Sequence, residues 1–160
     1  MSLDGRNTLP GIAARVNKNL AFIASARTKE GADVHVVTQL LLSLLGLVVF
    51  PVQALKNEGS TALQTEMLDD LEANGWPKWK FTIGESSDLQ DLLIHIRNAV
   101  SHHRLSFSSD SRNIEDVEIT FRDRRPAKDS DNWQAHISAK DLQQFVQLLS
   151  ELLSKKERNP

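Results

Sequence analysis

The chain has 160 residues, of which 40% are hydrophobic and 25% charged, and we place one globular domain with its own core over residues 1–160. It contains no cysteine, so disulfide bonds, thiolate metal sites and a cysteine nucleophile are excluded, and we expect a reducing, cytoplasmic environment. The formal net charge of -2 gives no overall attraction to nucleic acid, and no basic segment followed by an apolar run opens the chain, so we expect no signal peptide.

Two helices are predicted at the start of the chain. Apolar residues recur at helical spacing over residues 8–29, and Gly31 ends this amphipathic helix. A second helix over residues 33–51 is apolar on almost every side, so it must be covered on more than one face. Polar residues interrupt its apolar run, which favours a central core helix over a membrane span. A subunit interface is a further explanation of the surplus apolar surface.

The next segment is weakly patterned. A short helix is predicted over residues 61–73, and Asn74-Gly75-Trp76-Pro77 breaks it. The aromatic residues that follow, Trp76, Trp79 and Phe81, are interpreted as anchors that pack a loop onto the core. Stacking on nucleic-acid bases is the alternative for the same three side chains.

A helix is predicted over residues 88–103, opened by a capping box of Ser87 and Gln90. Beyond it the period changes to strict alternation, which indicates strands. Three short strands are predicted at residues 105–107, 117–121 and 133–137, with a polar loop over residues 123–132 before the third. A second capping box, Ser138 with Asp141, opens a last helix that runs to about Lys156.

The helix over residues 88–103 carries the candidate chemistry. Its apolar stripe faces the core, and the residues away from that stripe are Arg97, Asn98, Ser101, His102 and, beside them, His95. A guanidinium can hold a phosphate with two hydrogen bonds, and an imidazole transfers a proton near neutral pH. This pair is sufficient for phosphodiester chemistry without a metal. His103 is expected to face the core as a packing residue.

Charge is distributed unevenly around this helix. Residues 97–128 contain seven basic and five acidic side chains, a local charge of +2, so the remaining residues carry -4. The asymmetry fits a surface that faces phosphate, and it also fits a mixed, solvated surface. Arg-x4-His also occurs by chance in many helices, where it has a structural or incidental role. We expect no metal site, because no HExxH motif or carboxylate cluster lies nearby, and no glycine-rich phosphate loop is present.

Residues 93–102, Leu-Ile-His-Ile-Arg-Asn-Ala-Val-Ser-His, resemble the signature helix of the HEPN superfamily. Residues 44–51 resemble the second helix of small plasmid-borne and chromosomal HEPN-like proteins of bacteria. The resemblance implies a mainly α fold, an up-and-down bundle of four to five helices, here with a small antiparallel β insertion before the last helix. It also implies a homodimer that pairs the two motifs in a cleft.

In many members of that superfamily the activity is metal-independent and endoribonucleolytic, in toxin-antitoxin or phage-defence systems. On this resemblance Arg97 binds the scissile phosphate, Asn98 orients its neighbours and His102 is the general acid or base. Ser101, His95 and Arg104 are then predicted to bind substrate. The implied partners are RNA, a second copy of the chain and an antitoxin protein, with no cofactor and no membrane.

A function of a different class remains open. Some HEPN proteins bind without cutting, so the chain is alternatively a non-catalytic, dimeric helical interaction module. In that case Arg97, Asn98 and His102 form a buried polar network at the dimer seam, and removing two of them weakens association.

Overall fold

The structure is a computed structural model, and it describes residues 9–31, 35–44, 46, 63–111, 113–125 and 128–158. The helices in these ranges are α1 (Leu9–Glu30), α2 (Val36–Leu44), α3 (Leu68–Ala73), α4 (Leu89–Ser101) and α5 (Ala139–Arg158). The strands are β1 (Lys80–Ile83), β2 (Leu105–Phe107), β3 (Glu118–Asp123) and β4 (Trp133–Ser138). A single turn of 3-10 helix, Ile114–Asp116, precedes β3.

The four strands form one antiparallel sheet in the order β1-β4-β3-β2. Alternate residues of β3 and β4 are buried, so the sheet has one covered face and one open, polar face. The covered face holds Ile119, Phe121, Trp133, Ala135 and Ile137. Helix α4 lies against β3, and α5 contacts β4 together with α1 and α2. Both helices and the sheet therefore share one hydrophobic core.

The mainly helical composition and the antiparallel sheet before the last helix are confirmed. The sheet differs from the expected small insertion because it has four strands, and its first strand, β1, precedes α4. The described fold is therefore mixed α/β rather than an up-and-down bundle of helices with an insertion. Strand β1 was missed although Phe81 and Ile83 alternate with polar residues, because the segment is only four residues long and its aromatic residue was interpreted as a loop anchor.

The predicted helices agree with the structure in α1, in α5 and in most of α4. Helix α3 is shorter than the predicted 61–73, and the predicted continuation of α2 to residue 51 lies outside the described residues. The cap of α4 is Asp88 rather than Ser87, because the Asp88 side chain accepts a hydrogen bond from the backbone N–H of Asp91 at 2.9 Å.

Two further predictions of local packing are confirmed. The Ser138 hydroxyl accepts from the Asp141 N–H at 3.0 Å, which is the N-cap hydrogen bond of the predicted capping box, and it donates to the Asp141 carboxylate at 2.8 Å. Trp79 is buried, and its ring contacts Phe145 edge-on, so the aromatic segment does pack onto the core. Among the helices that the structure describes, none has the length and apolarity to cross a membrane.

Candidate functional site

Helix α4 positions the site because one of its sides is sealed against the core. Leu92, Leu93 and Ile96 have no solvent exposure and hold the helix against the sheet. The opposite side places His95, Arg97 and Asn98 in half-buried positions, whereas Ser101 and His102 are exposed. His95, Arg97 and Asn98 thus lie at a partly shielded surface, which strengthens their hydrogen bonds and charge interactions relative to open water.

A buried carboxylate, Asp123, organises this surface. It lies at the end of β3, and its side chain is 7% exposed. One carboxylate oxygen accepts from His95 Nδ1 at 2.8 Å and from Asn98 Nδ2 at 2.8 Å. The other accepts from the backbone N–H of Arg124 at 2.8 Å, and Arg104 Nη1 lies 3.6 Å from it. A buried carboxylate needs such partners, so the network ties α4 to the end of the sheet.

Asn98 extends the network from Asp123 to the guanidinium of Arg97. Its amide oxygen accepts from Arg97 Nη2 at 2.7 Å and from Arg97 Nε at 3.2 Å, while its amide nitrogen donates to Asp123. A carboxylate only accepts hydrogen bonds, so it determines which way the Asn98 amide points. The amide in turn orients the guanidinium through its two hydrogen bonds to Arg97.

His95 is held on two sides. Besides its hydrogen bond to Asp123, its ring stacks on the indole of Trp133, with centroids 4.7 Å apart and planes inclined by 9°. The Trp133 indole N–H donates to Ser86 Oγ at 3.1 Å, which anchors the indole itself. The His95 side chain is 18% exposed. It is therefore a preorganised imidazole at the edge of the site.

His102 occupies a different environment. It is the C-terminal cap of α4, its backbone N–H donates to the Asn98 carbonyl at 3.0 Å, and its side chain is exposed. Within the described ranges its imidazole has no hydrogen-bond partner. His103 was expected to face the core, and this is wrong: it is exposed, with a φ of 52°. Because α4 ends at Ser101, the helical period does not extend to His103.

The structure thus gathers four of the six predicted site residues around Asp123: His95, Arg97, Asn98 and Arg104. Ser101 and His102 lie on the exposed end of the same helix. Asp123 is absent from the predicted site because the predicted polar loop, residues 123–132, includes it. The signal was available, since Asp123 continues the alternation of the buried residues Ile119 and Phe121.

The charge near the site is mixed. Two guanidinium groups, those of Arg97 and Arg104, lie in or beside the network, against the carboxylates of Asp91 and Asp123. In the part of the chain that the structure describes, no three histidine, aspartate or glutamate side chains cluster as metal ligands. The chemistry that these residues can perform is therefore anion binding by guanidinium and proton transfer by imidazole.

These features define a domain of the HEPN class: a helix that presents Arg-x4-His beside a polar residue. The family model HEPN pEK499 p136 matches residues 5–159, and the chain belongs to that family. Neither a curated protein nor a solved structure matches the chain.

Proposed function

We propose that the protein is an RNA-binding HEPN protein that cleaves RNA as a metal-independent endoribonuclease. One observation carries the proposal: Arg97, the phosphate-binding candidate, is oriented through Asn98 by a buried carboxylate. Burying the Asp123 carboxylate costs free energy, and the hydrogen bonds that offset this cost also fix the Asn98 amide and, through it, the Arg97 guanidinium. A preorganised guanidinium is what recognition of a phosphodiester requires.

The reaction that this site supports is transesterification. The 2′-hydroxyl of the substrate ribose attacks the adjacent phosphorus, and the 5′-oxygen leaves. Arg97 binds the scissile phosphate and stabilises the charge that develops on its oxygens, and His102 acts as general acid or base. Ser101 and Arg104 lie at the C-terminal end of α4 and just beyond it, and they extend the contact with the RNA strand.

The biological setting is part of the proposal. We propose that two copies of the chain pair their motif helices in a cleft, and that the protein acts in the cytoplasm in a toxin-antitoxin or phage-defence system. An antitoxin protein that covers the motif surface is the corresponding partner. RNA, a second copy and this antitoxin are the three partners of the proposal.

Cleavage in EDTA tests the proposal directly. Labelled single-stranded RNA of mixed sequence is incubated with the wild type, Arg97→Ala and His102→Ala, and we expect cleavage by the wild type and a loss of about 100-fold or more in each variant. The matched control is Arg122→Ala. Arg122 lies next to Asp123 in β3 and is also half-buried, but its guanidinium donates to Ser106 Oγ at 2.9 Å. Equal cleavage by all four proteins, or none by the wild type, refutes the endoribonuclease.

A non-catalytic interaction module is the second candidate function. The observation that favours it is the hydrogen bonding of Arg97 to Asn98, since a closed polar network also suits a protein interface. Sedimentation of Arg97→Ala/His102→Ala separates the two. Loss of the dimer without any change in RNA binding supports the module, whereas an intact dimer that no longer binds RNA supports the proposal above.

A further inference from the structure

His95 has the hydrogen-bonding arrangement of a general base. Its Nδ1 lies 2.8 Å from Asp123 Oδ2, and Asp123 accepts from Asn98 and from the Arg124 backbone as well. A carboxylate oxygen that already faces the Asn98 amide N–H accepts from His95 as well. Neutral His95 must therefore carry its proton on Nδ1, which leaves the lone pair on Nε2. The same arrangement orients the imidazole in serine hydrolases.

The imidazole is also held in place. Stacking on Trp133 restricts rotation of the ring, and the hydrogen bond from Trp133 to Ser86 restricts the indole in turn. The Nε2 atom lies 3.7 Å from Asp91 Oδ1, which is longer than a hydrogen bond, and it has no hydrogen-bond partner among the described residues. A rigidly held nitrogen with an uncommitted lone pair is what general base catalysis needs.

The position of His95 along α4 completes the arrangement. Asp91, His95, Asn98 and His102 follow one another at intervals of four, three and four residues, so they lie on one stripe of the helix. His95 and His102 are two turns apart, about 10 Å along the helix axis. Asn98 lies between them and holds Arg97. Because His102 is the C-terminal cap of α4, Arg97 lies between two histidines of the same protomer along the helix.

We propose that His95 is the general base of the RNA cleavage proposed above, with Asp123 as its positioning residue and His102 of the same protomer as the general acid. This inference rests on that proposed function. His95 Nε2 takes the proton of the 2′-hydroxyl, and the 2′-oxygen forms a bond to phosphorus. The bond from phosphorus to the 5′-oxygen breaks, and the His102 imidazolium donates its proton to that oxygen. The products are a 2′,3′-cyclic phosphate and a 5′-hydroxyl.

Substrates with a sulfur atom in place of the bridging 5′-oxygen distinguish the general acid from the general base, because a thiolate leaves without being protonated. His102→Ala loses about 100-fold or more on ordinary RNA and recovers on the sulfur substrate. His95→Gln loses about 100-fold or more on both substrates. The matched control is His136→Gln. His136 is also 18% exposed and bonds to Thr82 and Thr120 on the open face of the sheet, so this variant keeps full activity on both.

Three results overturn the inference: full activity of His95→Gln on ordinary RNA, its rescue by the sulfur substrate, or an equal loss in His136→Gln. If only the inference is wrong, the wild type still cleaves and Arg97→Ala does not. If the proposed function is wrong, the wild type itself is inactive, and the inference falls with it. If His95→Gln does not fold, a measurement on the wild type still tests the inference. Nitrogen NMR of the His95 ring is expected to show the proton on Nδ1, and a neutral ring with its proton on Nε2 contradicts the role.

Discussion

Replacing Asp123 by asparagine tests the network that positions the motif. The substitution keeps the shape of the side chain and turns one accepting oxygen into an NH2 group. Three donors converge on the carboxylate, from His95, Asn98 and the Arg124 backbone. The remaining amide oxygen can keep the Arg124 bond. The new NH2 group then faces the N–H groups of His95 and Asn98, and donors cannot pair with donors.

The size of the effect follows from these contacts. His95 can shift its proton to Nε2 and accept from the new NH2 group, which restores one hydrogen bond. The bond from Asn98 is lost, or the Asn98 amide turns over and releases Arg97. A hydrogen bond to a charged group contributes about 1.5–3 kcal/mol, so we expect Asp123→Asn to lower the free energy of unfolding by about 2 kcal/mol. For a chain of this length that corresponds to a fall in Tm of roughly 4–8 °C.

Urea unfolding followed by circular dichroism measures this change. The matched control is Asp129→Asn, an exposed residue in the connection between β3 and β4, where we expect a change within about 0.5 kcal/mol. A double-mutant cycle of Asp123→Asn with Asn98→Ala is expected to give a coupling energy of about 1 kcal/mol or more. Equal stability of Asp123→Asn and the control, or additive effects in the cycle, would show that the carboxylate does not hold Asn98.

Two further substitutions test the local structure around the site. Gly84 has a φ of 64° and a Cβ there would lie 2.7 Å from the Asn132 carbonyl oxygen, whereas Gly31 has the same φ with open space around it. In thermal melts Gly84→Ala should therefore cost about 1–3 kcal/mol more than Gly31→Ala, and equal costs would rule out the close approach. Ser138→Ala removes the cap hydrogen bond from Asp141 and should cost about 1 kcal/mol in urea unfolding, while an unchanged midpoint would mean that the cap adds nothing.

The sequence identified the core side of α4 and the strands β3 and β4 because each has a clear period in the residues that it buries. Leu92, Leu93 and Ile96 recur at helical spacing, and Ile119 and Phe121 alternate. Strand β1 also alternates, over Phe81 and Ile83, but four residues are too few for that pattern to distinguish a strand from a loop anchored by its aromatic residue. His103 was misplaced because the end of α4 depends on a backbone conformation that the period of the helix does not report.

The candidate site was predictable in its residues and not in its connections. Arg97, Asn98 and His102 follow from spacing on one helix. The hydrogen bond of His95 to Asp123 and its stacking on Trp133 join residues 28 and 38 positions apart. Such contacts depend on how α4 lies across the sheet, and single-helix geometry contains no information about that packing.

Binding of uncleavable RNA to the protein tests the central claim most directly, which is that the outer side of α4 is an RNA site. RNA methylated at every 2′-oxygen has no proton there to lose, so it binds without being cleaved. In NMR titrations of the nitrogen-labelled protein, we expect the largest chemical-shift changes at the backbone amides of residues 97–102 and at the Arg97 Nε–H. In Arg97→Ala we expect the changes at the backbone amides to disappear. Shifts confined to the open face of the sheet around Thr120 and His136, or no shifts at all, would contradict the account.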